Sequence, residues 1–342
     1  MSEESSQPPK LRSVQLMQRM IGGFMVSQPI MVAAKLGIAD LVEEAPRTAD
    51  ELAHATKSHA SSLRRLLRFL TLLGIFAEDA SGKYRQTPLS ETLRANHPES
   101  VRYGAMMYGS STFWRSWGDL YQTILTGEPA FDRIYGESHY DYLRTHPDDA
   151  AIFNAAMSSG APLALSAIPT AYDFSQFERI VDVGGGHGAL LDGILSANPK
   201  LCGVLVDLPE VVADSTTLRA GANAHRCETI GGNFFESIPA GADGYLMKAV
   251  IHNWNDDDAL KILRNCRRAI RVDGKLLLIE RVLKPGNEPD PERGMDLNML
   301  VMLRGRERTE AEFRALLEDA GFRLTRVIAM PLPWSIIECQ AI

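Results

Sequence analysis

The sequence VDVGGGHG at residues 181–188 is the strongest indication of the fold. The residues that lead into it, from 179 to 183, form a short apolar run typical of a buried β-strand. The glycines that follow allow a positive φ and let the backbone pass close to a ligand. A strand that turns into a helix through such glycines is typical of an open α/β sheet. The stretch therefore predicts a ligand-binding loop at the carboxyl edge of that sheet.

The chain from residue 179 onwards alternates strand and helix patterns, which predicts a doubly wound α/β sheet. The ending differs, because the last two strands are joined across Pro331, Leu332 and Pro333 as an antiparallel hairpin. A terminal hairpin on a parallel sheet is the arrangement of class I methyltransferases, and it is not expected for a dinucleotide dehydrogenase. The predicted strands are 179–183, 203–207, 225–230, 244–248, 275–280, 322–330 and 334–341.

A helix–turn–helix followed by a wing is predicted near the amino terminus. Thr48 and Glu51 form a capping box, and a second helix carries leucines at helical spacing between residues 63 and 73. Segments 75–78 and 83–87 flank a turn as two strands of a wing would. This winged-helix pattern fits either DNA binding or a scaffold for dimerisation. The net charge of -7 favours the scaffold.

Residues 11–42 are rich in methionine and aliphatic side chains. They predict two or three short helices with more apolar surface than a small domain buries alone. A second copy of the chain is the most economical partner for that surface. The alternative is packing against the catalytic domain of the same chain.

Composition limits the class of protein. The chain has 342 residues, of which 45% are hydrophobic and 23% charged, as in an ordinary globular protein. The chain has four scattered cysteines, Cys202, Cys227, Cys266 and Cys339. We therefore expect neither a disulfide framework nor a zinc site, and we expect the protein to be cytoplasmic. No apolar run is long enough for a membrane span, and the polar residues 1–10 predict a disordered tail rather than a targeting peptide.

Two carboxylates suggest which ligand the glycine loop binds. Asp207 closes the next predicted strand, where a carboxylate can accept both ribose hydroxyls of an adenosine. The spacing of Gly184, Gly186 and Ala189 also fits the dinucleotide fingerprint. Asp182 distinguishes the two, because an acidic group suits the ammonium of S-adenosylmethionine and is unhelpful beside a pyrophosphate. We therefore expect the loop to bind S-adenosylmethionine. The alternatives are that it binds NAD or that it is a glycine turn without a ligand.

A histidine and a glutamate are predicted at the same edge of the sheet. His252 follows the fourth strand and Glu280 ends the fifth, so their side chains can be neighbours. A neutral imidazole can take a proton from a phenol, whose pKa is about 10, while a carboxylate fixes its tautomer. The alternative for His252 alone is a helix-capping or loop histidine.

At these residues the chain resembles the family-2 S-adenosylmethionine-dependent O-methyltransferases, which act on caffeate, flavonoids, acetylserotonin and bacterial natural products. The resemblance extends over nearly the whole chain. The segments that carry it are Trp117 with 124–127, 131–136, 181–188, 206–209, 231–235, 252–254 and 307–310.

The resemblance implies roles for particular residues. His252 becomes the general base, with Glu280 and Glu307 orienting it, and the product of the cofactor is S-adenosylhomocysteine. It also implies a homodimer through the amino-terminal domain and a small aromatic substrate. The candidate cofactor residues are Asp182, Gly184, Gly186, Asp207, Leu208, Asn233, Phe234, Phe235 and Lys248, and the candidate acceptor residues are Trp117, Phe153, Met157 and Asn253.

The chain departs from the family pattern at several positions. Asn233 stands where Asp is usual, but its amide oxygen can still accept from an adenine amino group. Asn253 also replaces Asp, which puts an acidic role there in doubt, and Ala161 replaces a common cofactor contact. The segment 299–306 is about one residue shorter than in the plant enzymes, so its acceptor contacts do not carry over.

These observations predict two domains. We expect a winged-helix dimerisation domain over residues 1–97 and a methyltransferase domain over 98–342, in which residues 98–175 are helical and line the acceptor pocket. No metal is expected, since the three aspartates at 256–258 are typical of a helix amino terminus. Two alternatives remain: a family member that uses the cofactor for hydroxylation, decarboxylation or pericyclic chemistry, and a winged-helix transcription factor with a degenerate ligand domain.

Overall fold

The structure of the protein is a computed structural model, which describes residues 9–159, 161–213, 215–330 and 333–342. Most of the predicted amino-terminal tail, and Pro331 and Leu332 of the predicted hairpin turn, lie outside the described residues. The chain divides into two compact units. One contains the residues up to Arg115 and Leu143–Pro162, and the other contains Ser116–Tyr142 and Leu163–Ile342.

The elements are numbered in chain order. The helices are α1 Pro9–Ile21, α2 Phe24–Leu36, α3 Ile38–Leu41, α4 Ala49–Thr56, α5 Ala60–Leu72, α6 Pro88–Glu91, α7 Arg102–Tyr108, α8 Ser111–Gly118, α9 Leu120–Thr126, α10 Ala130–Tyr135, α11 His139–Thr145, α12 Pro147–Ser159, α13 Ala161–Ala171, α14 Ala189–Ala197, α15 Pro209–Ala213, α16 Thr216–Ala220, α17 Asp256–Ala269, α18 Glu292–Met302 and α19 Glu310–Asp319. The strands are β1 Arg47–Thr48, β2 Phe76–Glu78, β3 Lys83–Gln86, β4 Arg179–Val183, β5 Cys202–Asp207, β6 Cys227–Gly231, β7 Gly244–Lys248, β8 Lys275–Glu280, β9 Val282–Leu283, β10 Arg308–Thr309, β11 Phe322–Ala329 and β12 Ser335–Ala341.

The first unit contains the predicted helix–turn–helix and wing. The side chain of Thr48 accepts the backbone N–H of Glu51, and the Glu51 carboxylate accepts the N–H of Thr48 at 2.7 Å, which completes the capping box of α4. Buried leucines of α5 point into a core shared with α2 and α4. The wing strands β2 and β3 pair antiparallel, and β1 adds a third strand to them.

Helix α1 and the start of α2 keep an apolar face in solvent. Met20 is 65% exposed and Ile21 is 70% exposed. Phe24 and Met25, at the start of α2, are also more than half exposed. Apolar surface of this extent on adjacent helices is typical of an interface with another chain. None of the helices in the described part of the chain is long and apolar enough to cross a bilayer.

The second unit is built on a seven-stranded sheet of order β11-β12-β8-β7-β4-β5-β6. Strands β4 to β8 pair in parallel, and β12 joins β8 antiparallel as part of the terminal hairpin with β11. This order confirms the class I methyltransferase fold predicted from the sequence. The third predicted strand begins two residues late, because residues 224–226 form a 3-10 turn before β6.

Apolar clusters cover both faces of this sheet. One joins the sheet to buried residues of α17 and α19, and the other joins it to α14. As predicted, the aspartates at 256–258 form the first turn of α17, where Asn255 accepts the N–H of Asp258 at 2.9 Å. Strands buried on both sides are held in a fixed register, so their carboxyl ends meet at one edge. Asp207, Lys248 and Glu280 end three of these strands at that edge.

Candidate active site

The glycine loop between β4 and α14 is formed as the sequence predicts. Gly184, Gly186 and Gly188 have φ of 70°, 60° and 80°, which side chains rarely adopt. A Cβ at Gly184 would lie 2.9 Å from Val250 and 3.6 Å from Phe234. The loop thus needs glycine both for its conformation and for its close packing.

Asp207 ties the loop to the end of β5. Its carboxylate accepts the backbone N–H groups of Gly186 and Leu208, each at 2.8 Å. Burial raises the pKa of Asp207, and these two hydrogen bonds act in the opposite direction. A carboxylate has about four acceptor positions, so at least one on each oxygen remains for ribose hydroxyls. Leu208 beside it is 43% exposed.

Asp182 lies under the loop with 1% of its surface exposed. Neither carboxylate oxygen has a hydrogen-bond partner, and a Cβ at Gly185 would come within 2.5 Å of one of them. Burial, and then the charge of Asp207, raise the pKa of Asp182 to about 7, while Lys248 lowers it. A buried carboxylate without a partner is costly, and a cationic group beside it would reduce that cost.

The loop after β6 holds three more of the candidate cofactor residues, Asn233, Phe234 and Phe235. The Oδ1 of Asn233 accepts the N–H of Phe235 at 3.0 Å, and its amide donates to Glu236. Phe234 and Phe235 are half-buried and lie with their ring centroids 5.1 Å apart. The ring of Trp254 packs edge-on against that of Phe235. These aromatic rings fix the loop beside Gly184.

The segment after β7 carries the candidate base. Lys248 is half-buried, and burial lowers its pKa while Glu280 and Asp182 raise it. The next residue, Ala249, has a φ of 54°, an unfavourable conformation for a side chain with a Cβ. Its carbonyl accepts the side-chain amide of Asn253 at 3.0 Å. Strain of this kind is often found at functional sites.

His252 lies in a buried 3-10 turn and contacts Glu307. Its Nδ1 is 2.9 Å from Oε1 of Glu307, and the histidine is 7% exposed. An ionised carboxylate only accepts hydrogen bonds, so in the neutral imidazole Nδ1 carries the proton and Nε2 keeps its lone pair. The N–H of Glu307 donates to Asp296 at 2.9 Å, which fixes the glutamate in turn. The arrangement leaves His252 with one nitrogen able to accept a proton.

Glu280 does not make the direct contact expected from the sequence. Its Oε1 accepts the N–H groups of Val250 and Ile251 at 3.0 and 2.8 Å, and its other oxygen has no hydrogen-bond partner. One atom each of Glu280, His252 and Glu307 lie within 4.8 Å of one another. The direct partner is Glu307, because the chain beyond α18 brings it to Nδ1, while Glu280 is occupied by the turn that carries His252. Glu280 therefore positions this turn and contributes charge.

The charges around the imidazole act in opposite directions. Burial opposes the protonated form, whereas Glu280 and Glu307 stabilise it and together raise the pKa of His252. Arg281 lowers the pKa of His252. The net effect raises the pKa of His252 above its ordinary value, so the two glutamates outweigh burial and Arg281.

The acceptor candidates are divided between the two units. Trp117 is half-buried in the second unit and donates its indole N–H to Asn298 at 3.1 Å. Phe153 and Met157 lie one turn apart on α12 in the first unit, and Met157 is 53% exposed. The side chain of Ala161 lies outside the described residues. Their roles in acceptor binding stay predictions.

The structure adds residues that sequence reasoning missed. A Cβ at Gly305 would lie 2.0 Å from the carbonyl oxygen of His252, so only glycine fits there. The fully buried Arg308 donates to the carbonyl of Trp254 at 3.0 Å and to Asp256 at 2.7 Å. These hydrogen bonds hold the end of the turn that carries His252. Arg308 lies in segment 307–310, which carries part of the family resemblance, so the sequence did indicate its importance. Arg281 and Trp334 lie in no such segment.

Comparisons with known proteins agree with this site. A family model described as an O-methyltransferase domain matches residues 117–323, and one described as an O-methyltransferase dimerisation domain matches residues 18–96. The chain belongs to the O-methyltransferase family. It is therefore an S-adenosylmethionine-dependent enzyme of that family, as the sequence predicted.

Individual relatives extend over almost the whole chain. A phenazine O-methyltransferase of Lysobacter antibioticus is 41% identical, with 96% of each chain covered. A 3-amino-4-hydroxybenzoate 4-O-methyltransferase of Streptomyces cremeus is 40% identical, covering 92% of this chain and 86% of the relative. The crystal structure of an O-methyltransferase from neocarzinostatin biosynthesis, solved with S-adenosylmethionine and 2-hydroxy-5-methyl naphthoic acid, matches with a TM-score of 0.81 and 36% identity, covering 93% and 96% of the two chains.

Proposed function

We propose that this enzyme methylates a phenolic or enolic hydroxyl of a small aromatic or polyketide-like metabolite, with His252 as the general base. The single observation that carries the proposal is the hydrogen bond between Nδ1 of His252 and Glu307, which leaves Nε2 as a proton acceptor. The relatives named for phenazine and aminohydroxybenzoate methylation support an aromatic acceptor.

The residues around the glycine loop suit S-adenosylmethionine. A Cβ at Gly186 would meet no atom within 4 Å, so the loop is open to a ligand there, and Asp207 has free acceptor positions for a ribose. The carboxylate of Asp182 has no partner in the protein, which suits a cationic end of the ligand. When bound, this cofactor supplies an activated methyl group on a sulfonium and leaves as S-adenosylhomocysteine.

The protein's own contribution is positioning and one proton transfer. Nε2 of His252 takes the hydroxyl proton as the oxygen forms its bond to the methyl carbon, and Glu307 stabilises the imidazolium that results. Positioning of the two reactants carries much of the rate, because the methyl donor is already activated. A base of this kind contributes about 10²- to 10⁴-fold.

A labelled-methyl assay tests the proposal. With a panel of phenols, His252→Gln lowers kcat about 100-fold or more while the affinity for S-adenosylhomocysteine is kept. The matched control is His225→Gln, an exposed histidine before β6, which leaves kcat unchanged. Full activity of His252→Gln would refute the general base.

A non-methylating reaction of the same cofactor is the second candidate, because the fold alone does not specify which reaction the cofactor undergoes. Mass spectrometry of the products separates the two. A product with one added methyl group supports methylation, and a hydroxylated or decarboxylated product without label supports the alternative.

The first unit is proposed to form a homodimer. The dimerisation-domain match and the exposed apolar face of α1 and α2 support this assembly. A DNA-binding role for the winged helix is the competing interpretation. Salt-dependent retardation of duplex DNA by the intact protein would favour that interpretation.

A further inference from the structure

Two cationic side chains lie over the ring of Trp334, which packs against the candidate base. The guanidinium carbon of Arg281 is 4.1 Å from the centroid of its ring, and Nζ of Lys248 is 4.9 Å from it. The imidazole of His252 packs edge-on at 6.2 Å. A cation against an indole face is attracted by the negative charge of the ring face, most strongly where water is reduced. Trp334 thus holds a cation at a fixed distance from the imidazole.

Arg281 is also held by acids from two other segments. Its Nε lies 2.5 Å from Oε2 of Glu292 on α18, and its guanidinium lies 3.8 Å from Oε1 of Glu307. The arginine side chain is only 15% exposed. The same Oε1 of Glu307 contacts Nδ1 of His252, so Arg281 and His252 share one carboxylate oxygen.

The charged groups around His252 come from several segments of the chain. Glu280 ends β8, Arg281 follows it, Lys248 ends β7, and Glu307 precedes β10. Behind Glu307, Asp296 of α18 accepts its backbone N–H. The two glutamates closest to the imidazole are fully buried and would strongly stabilise an imidazolium if no cation opposed them. The cation that shares a carboxylate with the imidazole is Arg281.

We infer that Arg281, which packs on Trp334, is a positioning residue that opposes the two buried glutamates and so limits the protonation of His252. The inference rests on the proposed role of His252 as the base, since only a neutral imidazole can accept the acceptor's proton. The arginine competes with the imidazole for the charge of Glu307. Without it, the two buried glutamates act on His252 unopposed by this cation, and a larger share of the base is protonated before substrate binds.

A titration of the imidazole in the intact protein tests this inference without needing an acceptor. The Cε1–H resonance of His252, assigned from its loss in His252→Gln, is followed by NMR against pH in the S-adenosylhomocysteine complex. In Arg281→Met the midpoint moves to higher pH, so the ratio of protonated to neutral imidazole at about pH 7 rises about threefold or more. Arg281→Lys, which keeps the charge, moves the midpoint less.

The indole has its own test. Trp334→Leu removes the ring face and moves the midpoint in the same direction as Arg281→Met, whereas Trp334→Phe keeps a weaker face and stays near the wild type. The matched control is Arg271→Met, which removes a half-exposed arginine between α17 and β8 and leaves the titration unchanged. If Arg281→Met does not fold, the comparison of the two Trp334 variants decides.

Two outcomes overturn the inference: a midpoint in Arg281→Met that stays at the wild-type value or moves down, or equal titrations of Trp334→Leu and Trp334→Phe. Failure of the proposed function gives a different result. An upward midpoint in Arg281→Met together with methyl transfer that His252→Gln does not slow supports the charge balance and refutes the general base. The pH dependence of turnover with the best phenol of the panel gives a further test of Arg281→Met. If the variant protonates the base more readily, turnover is slower at about pH 6 and unchanged at about pH 9.

Discussion

His252 and Asp182 are two buried ionisable groups of this site, and they differ in whether they have a hydrogen-bond partner. His252 has Glu307 on Nδ1, which selects its tautomer. Asp182 has no hydrogen-bond partner, so burial dominates its pKa. We propose that the first group accepts a proton from a substrate and that the second acquires its charge when a cation binds.

Asp182 is expected to link cofactor binding to pH. Its pKa in the free protein is raised to about 7, so the carboxylate is partly protonated at neutral pH. A cationic ligand favours the ionised form, so the affinity for S-adenosylmethionine rises as pH increases through about 7, with release of a proton on binding. Isothermal titration in buffers of different ionisation enthalpy measures this proton. Asp182→Asn loses both effects, and an unchanged pH dependence in that variant contradicts the assignment.

The same carboxylate affects stability in a defined pH window. Its folded pKa of about 7 lies above the ordinary aspartate value of 3.8, so the folded state holds the proton more tightly than the unfolded state. The stability it contributes is present below the unfolded pKa and is lost as pH rises towards the folded pKa. Melting temperatures of the ligand-free wild type should therefore fall relative to those of Asp182→Asn as pH rises from about 4 to about 8. Parallel melting curves of the two proteins across that range would rule out the assignment.

Among the secondary-structure elements, the turn that carries His252 is fixed by the segment that precedes β10. The N–H of Arg306 donates to the carbonyl of His252 at 2.9 Å, and Arg308 binds carbonyls of the same turn. Gly305 lets the two backbones approach this closely. A hydrogen-bonded contact between two loops thus sets the position of both His252 and Glu307.

Gly305→Ala is expected to disturb catalysis without touching a reacting group. The new Cβ would lie 2.0 Å from a backbone oxygen, so one of the two segments must move. We expect a loss of about 2–4 kcal/mol in the free energy of unfolding and a fall in kcat of about 100-fold, with the affinity for S-adenosylhomocysteine largely kept. Chemical denaturation, turnover and calorimetry measure the three quantities.

Gly294→Ala is the matched control for this substitution. Gly294 lies in α18, and a Cβ there would meet no atom within 4 Å, so alanine fits and adds helix propensity. We expect equal or slightly higher stability, by up to about 1 kcal/mol, and unchanged turnover. If Gly305→Ala behaved like Gly294→Ala, the loop contact would not set the site.

For the molecule as a whole, the exposed face of α1 and α2 predicts that the enzyme works as a dimer. Ile21→Asp places a charge in the middle of this face, where the wild-type side chain is 70% exposed in the single chain. Burying an unpaired carboxylate in an interface is strongly unfavourable, so sedimentation should show a monomer. Val272→Asp, at an 83% exposed position in the other unit, is the control and keeps the wild-type mass. Identical masses for both variants would place the interface elsewhere.

Local sequence patterns were sufficient to predict the sheet, the order of its strands along the chain and the glycine loop. Strands β4, β7 and β8 have the predicted bounds, because each is a short apolar run ended by a residue that must lie at the sheet edge. The glycine loop and the position of Asp207 follow from the same local rules. The boundary expected near residue 97 stays a prediction, and the helical segment after it is divided between the two units.

The groups that act on the base, in contrast, are selected by tertiary packing. Glu307 is 55 residues from His252 along the chain and replaces Glu280 as its hydrogen-bond partner. The clamp of Arg281 on Trp334 and the fit of Gly305 against the His252 turn likewise join segments that are distant in sequence. Local patterns fix which residues reach the sheet edge, but the pairing there depends on how loops from different crossovers pack. That packing sets the distances on which proton transfer and charge balance depend.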